Sequence, residues 1–133
     1  MRVMIDTNIL ISAVLFPSGK ASMALQKALI PPHHPLISDY ILDELRRKFE
    51  EKFSDSMSDL ETFLEAFLLL VEVVKTPALE DDKEGKIRDP KDRPILRAAI
   101  NSEADLLLTG DKDFLESGVD NPKIISASEF LDM

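Results

Sequence analysis

Arg2-Val3-Met4-Ile5-Asp6-Thr7-Asn8 is the stretch on which the fold turns. Its first half is short, apolar and partly β-branched, which reads as a buried strand, and Asp6-Thr7-Asn8 is a turn-forming stop. Ile9 to Phe16 suits a short helix packed on a sheet, broken by Pro17-Ser18-Gly19. Ala21 to Ile30 has roughly helical spacing and ends at Pro31-Pro32-His33-His34-Pro35, which is expected to be irregular because proline lacks an amide donor and restricts its neighbour. Leu36-Ile37 reads as a very short second strand. Ser38 is placed to cap a helix from Asp39 to about Glu51, whose apolar stripe is Ile41, Leu42, Leu45 and Phe49.

The pattern repeats along the second half. Ser54 to Leu70 is helical in period, and Val71 to Val74 is β-branched and reads as a third strand. Glu80 to Arg88 is charged and contains Gly85, so an exposed loop is expected. Pro94 is tolerated in a first helical turn but not deeper, so the next helix should start near Arg93 and run to about Ser102. Ala104 to Leu108 and Lys123 to Ile125 read as the last strands. Phe114-Leu115 begins a helical turn between them, and Ser126 caps a final helix from Ala127 to Leu131. Strands alternating with helices imply an α/β protein whose parallel sheet is covered on both faces. No repeat, low-complexity tract or linker divides the chain, so residues 1–133 are expected to form one domain.

Composition narrows the function classes. Hydrophobic residues make up 44% and charged residues 31% of the chain, which suits a soluble globular protein. There is no cysteine, which excludes disulfides, thiolate metal sites and a cysteine nucleophile and is compatible with a reducing cytoplasm. The start lacks the long apolar core of a signal peptide, and Ala66-Phe67-Leu68-Leu69-Leu70-Val71 is too short to span a bilayer, so a cytoplasmic protein with no membrane partner is expected. The net charge of −9 works against long-range attraction to nucleic acid. That count misleads if bound metal neutralises several acids.

Four acids occupy matching places in this pattern: Asp6 after the first strand, Glu44 on the helix after the second, Asp92 at the mouth of the Arg93 helix, and Asp111 after the fourth strand, with Asp113 close behind. Each has an ordinary alternative. Asp is a common turn former, Glu44 could pair with Lys48 one turn on, and a carboxylate at a helix start satisfies free amides. Together they can converge on the carboxyl edge of one parallel sheet, where ligands bind. Crowded acids repel unless a cation holds them, so at least one carboxyl with a raised pKa is expected. Two ions bridged by such carboxylates suit in-line displacement at phosphorus, and Mg²⁺ or Mn²⁺ matches the all-oxygen donors. Asn8 stands where a second acid of a haloacid-dehalogenase-type phosphatase would be, and the paired acids of a phosphoreceiver domain are missing. His33-His34, among prolines, reads as a solvated loop rather than a metal site.

The strand-ending Asp6-Thr7-Asn8, Ser38 with Glu44, Asp92 before Ile95-Leu96-Arg97-Ala98-Ala99, and Thr109-Gly110-Asp111-Lys112-Asp113 together resemble a PIN domain, nearest the VapC-like toxin components of prokaryotic toxin–antitoxin pairs. The resemblance covers nearly the whole chain. It implies a three-layer α/β/α, Rossmann-like fold with a five-stranded parallel sheet, Mg²⁺- or Mn²⁺-dependent endoribonuclease activity, homodimers and an antitoxin partner. Carried over, Asp6, Glu44, Asp92 and Asp111 become the metal-binding acids, with Asp113 competing for the fourth place. Thr7, Asn8, Ser38 and Thr109 become supporting polar residues. A nuclease without an antitoxin, or a non-catalytic module on the same fold, would share these features.

Overall fold

A computed structural model describes residues 1–133. Five strands, β1 (Arg2–Ile5), β2 (His34–Ser38), β3 (Glu72–Val74), β4 (Leu106–Leu108) and β5 (Lys123–Ile125), form one sheet in the order β3-β2-β1-β4-β5. All the pairings are parallel, with Met4 opposite Leu36 on one side and Leu107 on the other. Val3, Met4 and Ile5 are each 0% exposed in succession. Successive strand side chains face opposite ways, so both faces of β1 are covered. The helices that cover them are α1 (Thr7–Leu15), α2 (Lys20–Ala28), α3 (Asp39–Lys52), α4 (Met57–Phe67), α5 (Arg93–Asn101), α6 (Lys112–Leu115) and α7 (Ala127–Leu131). This is the expected α/β/α fold with a five-stranded parallel sheet.

The strand order is what places the site. From β1 the chain steps outward through β2 to β3, then returns to β4 on the other side of β1 and continues to β5. Right-handed crossovers put the helices before and after this reversal on opposite faces. The crevice therefore opens at the carboxyl ends of β1 and β4, the switch point where open α/β sheets bind ligands. Asp6 follows β1 there, its amide donating to Leu108 O at 2.9 Å, and Thr109 follows β4.

Local signals explain the helix ends. Ser38 Oγ accepts the Ile41 amide at 3.1 Å and starts α3; Ser126 and Glu129 form a reciprocal capping box for α7. Pro94 sits in the first turn of α5, where its missing donor is harmless.

Three expectations fail. Glu80 to Arg88 is not an exposed loop: Asp82–Lys86 is a 3₁₀ turn capped by Asp81 and Glu84, and Glu84 and Ile87 are buried. The burial is made possible by Arg97, whose guanidinium grips Glu84 with two hydrogen bonds of 2.9 and 2.8 Å. Second, His34 and Pro35 belong to β2 rather than to an irregular stretch. Pro35 faces Val3 of β1, and the ladder to β3 begins only at Leu36, so no ladder bond to β3 is lost at the proline. The two histidines separate: His34 Nε2 lies 2.7 Å from Glu72 Oε1, and His33 packs edge-on against Phe130. Third, the Ser54 to Leu70 helix is shorter: Ser54–Ser56 is a 3₁₀ turn and α4 ends at Phe67.

Candidate active site

Asp6 and Glu44 are joined through Thr7, whose amide donates to one and whose hydroxyl donates to the other. Asp6 is 4% exposed and caps α1, one carboxylate oxygen accepting the Thr7 amide at 2.8 Å. The other accepts the hydroxyl of Thr109, itself fully buried, at 2.7 Å. The Thr7 hydroxyl points the other way and donates to Glu44 Oε1. Glu44 is buried with Leu45 and Ile41 on the inner side of α3, whereas Asp43 is exposed. Lys48, one turn later, lies 4.0 Å from Glu44 Oε2.

Asp92, Asp111 and Asp113 form the outer half of the site. One oxygen from each lies within 4.8 Å of the others, and all three are half-buried. Asp92 opens α5 but makes no capping hydrogen bond, so its carboxylate is not used by the helix. Asp111 is the cap of α6: its Oδ1 accepts the Asp113 amide at 2.9 Å, and its own amide donates to Thr109 Oγ1 at 3.0 Å. Arg88 approaches Asp113 Oδ1 at 3.4 Å from the solvent side.

Thr109 therefore serves both halves, orienting Asp6 and tying down the turn that carries Asp111. Asn8 makes no hydrogen bond to Asp6. Its Oδ1 receives the Gly110 amide at 3.4 Å and steadies the same turn. Ser38 reaches no acid and acts by capping α3, the helix that carries Glu44.

Burial first, and crowding by like charges second, raise two of these carboxyls. Burial pushes the Asp6 carboxyl up to about 6; the Thr109 and Thr7 hydrogen bonds pull against this, and the Glu44 and Asp111 charges add to it. Burial also pushes Asp92 up to about 7, reinforced by the neighbouring Asp111 carboxylate and then by Asp6 and Asp89. Acids that hold protons this far above their usual range are short of positive charge. Three carboxylates sharing one opening, with two more acids fixed behind them, are an oxygen-donor set suited to a hard divalent ion. A cleft of about 630 Å³ lies elsewhere: it runs between α1, α2 and α4 and is lined by none of these acids.

The PIN domain family model matches residues 2–113, which span every acid described above. The chain belongs to the PIN domain family. Solved structures share this PIN fold at low identity. VapBC2 from Rickettsia felis, bound to a promoter DNA fragment, is 22% identical with a TM-score of 0.69, the match covering 95% of this chain and 98% of that one. DNA-bound VapBC from Salmonella typhimurium is 19% identical with a TM-score of 0.69, covering 96% and 98%. VapC20 from Mycobacterium tuberculosis, described as a sarcin-ricin loop cleaving toxin, is 13% identical with a TM-score of 0.59, covering 87% and 95%. At these identities the likeness is one of fold. No curated protein matches the chain. No single helix of this PIN domain is long and apolar enough to cross a membrane.

Two residues of the site carried no signal on their own in the sequence. Arg88 lies in a charged stretch where one guanidinium looks like any other. Tyr40 is half-buried and its hydroxyl donates to Lys91 O at 2.5 Å. The one clue was its spacing, four residues before Glu44 and so on the same side of α3.

Proposed function

We propose that this chain, with residues 1–133 as one PIN domain, is a divalent-metal-dependent endoribonuclease and the toxin of a toxin–antitoxin pair. The observation that carries the reading is the convergence of Asp92, Asp111 and Asp113 within 4.8 Å at the sheet's switch point, with Asp6 and Glu44 held behind them by Thr109 and Thr7. The RNA substrate and the antitoxin are supported by the company the fold keeps, two VapBC complexes and a toxin that cleaves the sarcin-ricin loop. The apolar cleft between α1, α2 and α4, remote from the acids, would suit a protein partner without blocking its own nuclease site. A homodimer in the cytoplasm is the proposed working form.

Asp6, Glu44, Asp92 and Asp111 would hold Mg²⁺ or Mn²⁺, with Asp113 completing the outer side. When bound, the ion supplies Lewis acidity at a phosphodiester and cancels carboxylate repulsion. The rest is the work of the chain. Thr109 and Thr7 fix the inner carboxylates in one orientation by direct donation, so little rearrangement is needed when substrate arrives. Asp92, raised to about 7 by burial and the neighbouring Asp111 carboxylate, can hold a proton at its carboxyl near neutral pH, and would give it up to serve as a ligand. Arg88, largely solvent-exposed beside Asp113, can meet an incoming phosphate. Cleavage of a fluorescent single-stranded RNA that requires added Mn²⁺ and stops with chelator tests the reading.

A further inference from the structure

The acids of the site come from separate elements: α3 carries Glu44, and the start of α5 carries Asp92. Asp92 makes no capping bond that would fix it to its own helix. One side chain spans the gap. Tyr40, in the first turn of α3, donates its hydroxyl to the Lys91 carbonyl at 2.5 Å, the peptide that leads directly into Asp92.

Both ends of this strut are tied down by hydrogen bonds. At the α3 end, Ser38 caps Ile41, and Asp39 Oδ1 accepts the Tyr40 amide at 2.8 Å, the Thr76 amide at 3.0 Å and the Thr76 hydroxyl at 2.6 Å. At the other end, Asp89 Oδ1 accepts the Lys91 amide at 3.0 Å and Asp89 O accepts the Asp92 amide at 3.0 Å, making a closed turn. Arg93 Nε holds the same turn from behind through Ile87 O at 3.0 Å. A bond between two such fixed pieces transmits position, since neither end can yield independently. The Tyr40 hydroxyl proton goes to the backbone and not to a carboxylate, so Tyr40 takes up no oxygen of the acids.

We infer that Tyr40 is a positioning residue of the nuclease site: through Lys91 it sets how far Asp92 stands from Glu44 and Asp111, and so whether one cation can be shared among them. The inference rests on the metal-dependent reading above. A residue one step removed from the ligands acts by orienting them, and loss of such an orienting bond costs about 10–100-fold in metal affinity or activity.

The test is Tyr40→Phe, which keeps the packed ring and removes only the donor, compared with wild type and with Asp43→Asn as an exposed control on the same helix. Three quantities are measured: Mn²⁺ affinity of the protein without RNA, from the free-ion electron paramagnetic resonance signal; kcat and KM for a fluorescent RNA; and Tm without metal. The expected result is Mn²⁺ affinity weakened about 10-fold or more, kcat reduced to a similar degree, KM within about two-fold, and metal-free Tm nearly unchanged. Asp43→Asn should match wild type throughout. Wild-type Mn²⁺ affinity and kcat in Tyr40→Phe overturn the inference and leave the nuclease reading standing. A lowered Tm with Mn²⁺ affinity intact overturns it too, because the bond is then only structural. If wild type itself binds no Mn²⁺ and cleaves no RNA, the nuclease reading fails and takes this inference with it.

Discussion

The Thr109 hydroxyl donates to Asp6 Oδ2 at 2.7 Å, joining the carboxyl ends of two neighbouring strands that are 103 residues apart in the chain. The Thr109 hydroxyl oxygen in turn accepts the Asp111 amide. Thr109→Val keeps the shape and removes both bonds. It leaves one oxygen of the buried Asp6 carboxylate and a loop amide without partners, so a stability loss of about 1–3 kcal/mol is expected, with cleavage down about 10–100-fold. Urea denaturation and a cleavage assay measure the two effects. Unchanged values in both would remove Thr109 from the site.

The metal-free protein should lose stability as pH rises from about 4 to 7. Asp6 and Asp92 have pKa values raised to about 6 and about 7 when folded. In this window the unfolded chain releases those protons first, so unfolding is favoured as pH increases. For fully buried Asp6 the loss amounts to at most about 3 kcal/mol. Glu84 has the opposite sign. Its hydrogen bonds from Arg97 hold its carboxyl below the usual range, so its contribution disappears in acid, below about pH 4. Tm without metal should peak at about pH 4, and saturating Mn²⁺ should flatten the alkaline side by binding only the folded state. A metal-free Tm that climbs steadily to pH 8 would contradict the crowding of these acids.

Glu44→Gln should abolish most Mn²⁺-dependent cleavage with the fold intact. The amide oxygen can still accept from Thr7, and the lost charge relieves repulsion with Asp6. Asp43→Asn, one position round the helix and exposed, should retain activity. Circular dichroism and the cleavage rate of the pair separate a site acid from general charge loss; equal activity in both would assign Glu44 to packing.

Much of this layout was legible in the residues. Apolar runs marked the strands, Ser38 and Ser126 announced their helices, and Pro94 located the start of α5 because proline is tolerated only in the first turn. Asp6, Glu44, Asp92 and Asp111 were findable because each sits at an element end or beside an apolar stripe. What escaped depends on partners far along the chain. Glu84 looked solvated because burial of its charge needs Arg97, thirteen residues on, although Asp81 and Glu84 carried capping-box spacing. Pro35 could enter β2 only because β3 starts pairing one residue later. Asp111 and Asp113 competed for one place in the sequence; in the structure both face Asp92, and Asp111 also caps the turn, a double role that residue spacing cannot express.

The Glu84–Arg97 pair gives a stability prediction distant from the chemistry. Both side chains are largely buried, and Arg97 also donates to Pro77 O at 3.0 Å. Arg97→Met strands the Glu84 charge and should cost about 3–5 kcal/mol. Adding Glu84→Gln should recover part of that, because the uncompensated charge is gone and the amide can still cap the turn. Chemical denaturation of the single and double variants checks this; a double variant as unstable as the sum of its parts would mean that the two residues act independently.

The central claim is that the acids at the β1–β4 switch point hold a divalent ion for RNA cleavage. The most direct measurement is the cleavage rate of a fluorescent single-stranded RNA by wild type and Asp92→Asn, each with Mn²⁺ and with chelator. The account expects wild type to cleave only with Mn²⁺, and Asp92→Asn to remain folded, with metal-free Tm equal or higher, but inactive in both conditions. Wild-type cleavage that persists in chelator, or Asp92→Asn cleaving at the wild-type rate, would contradict it.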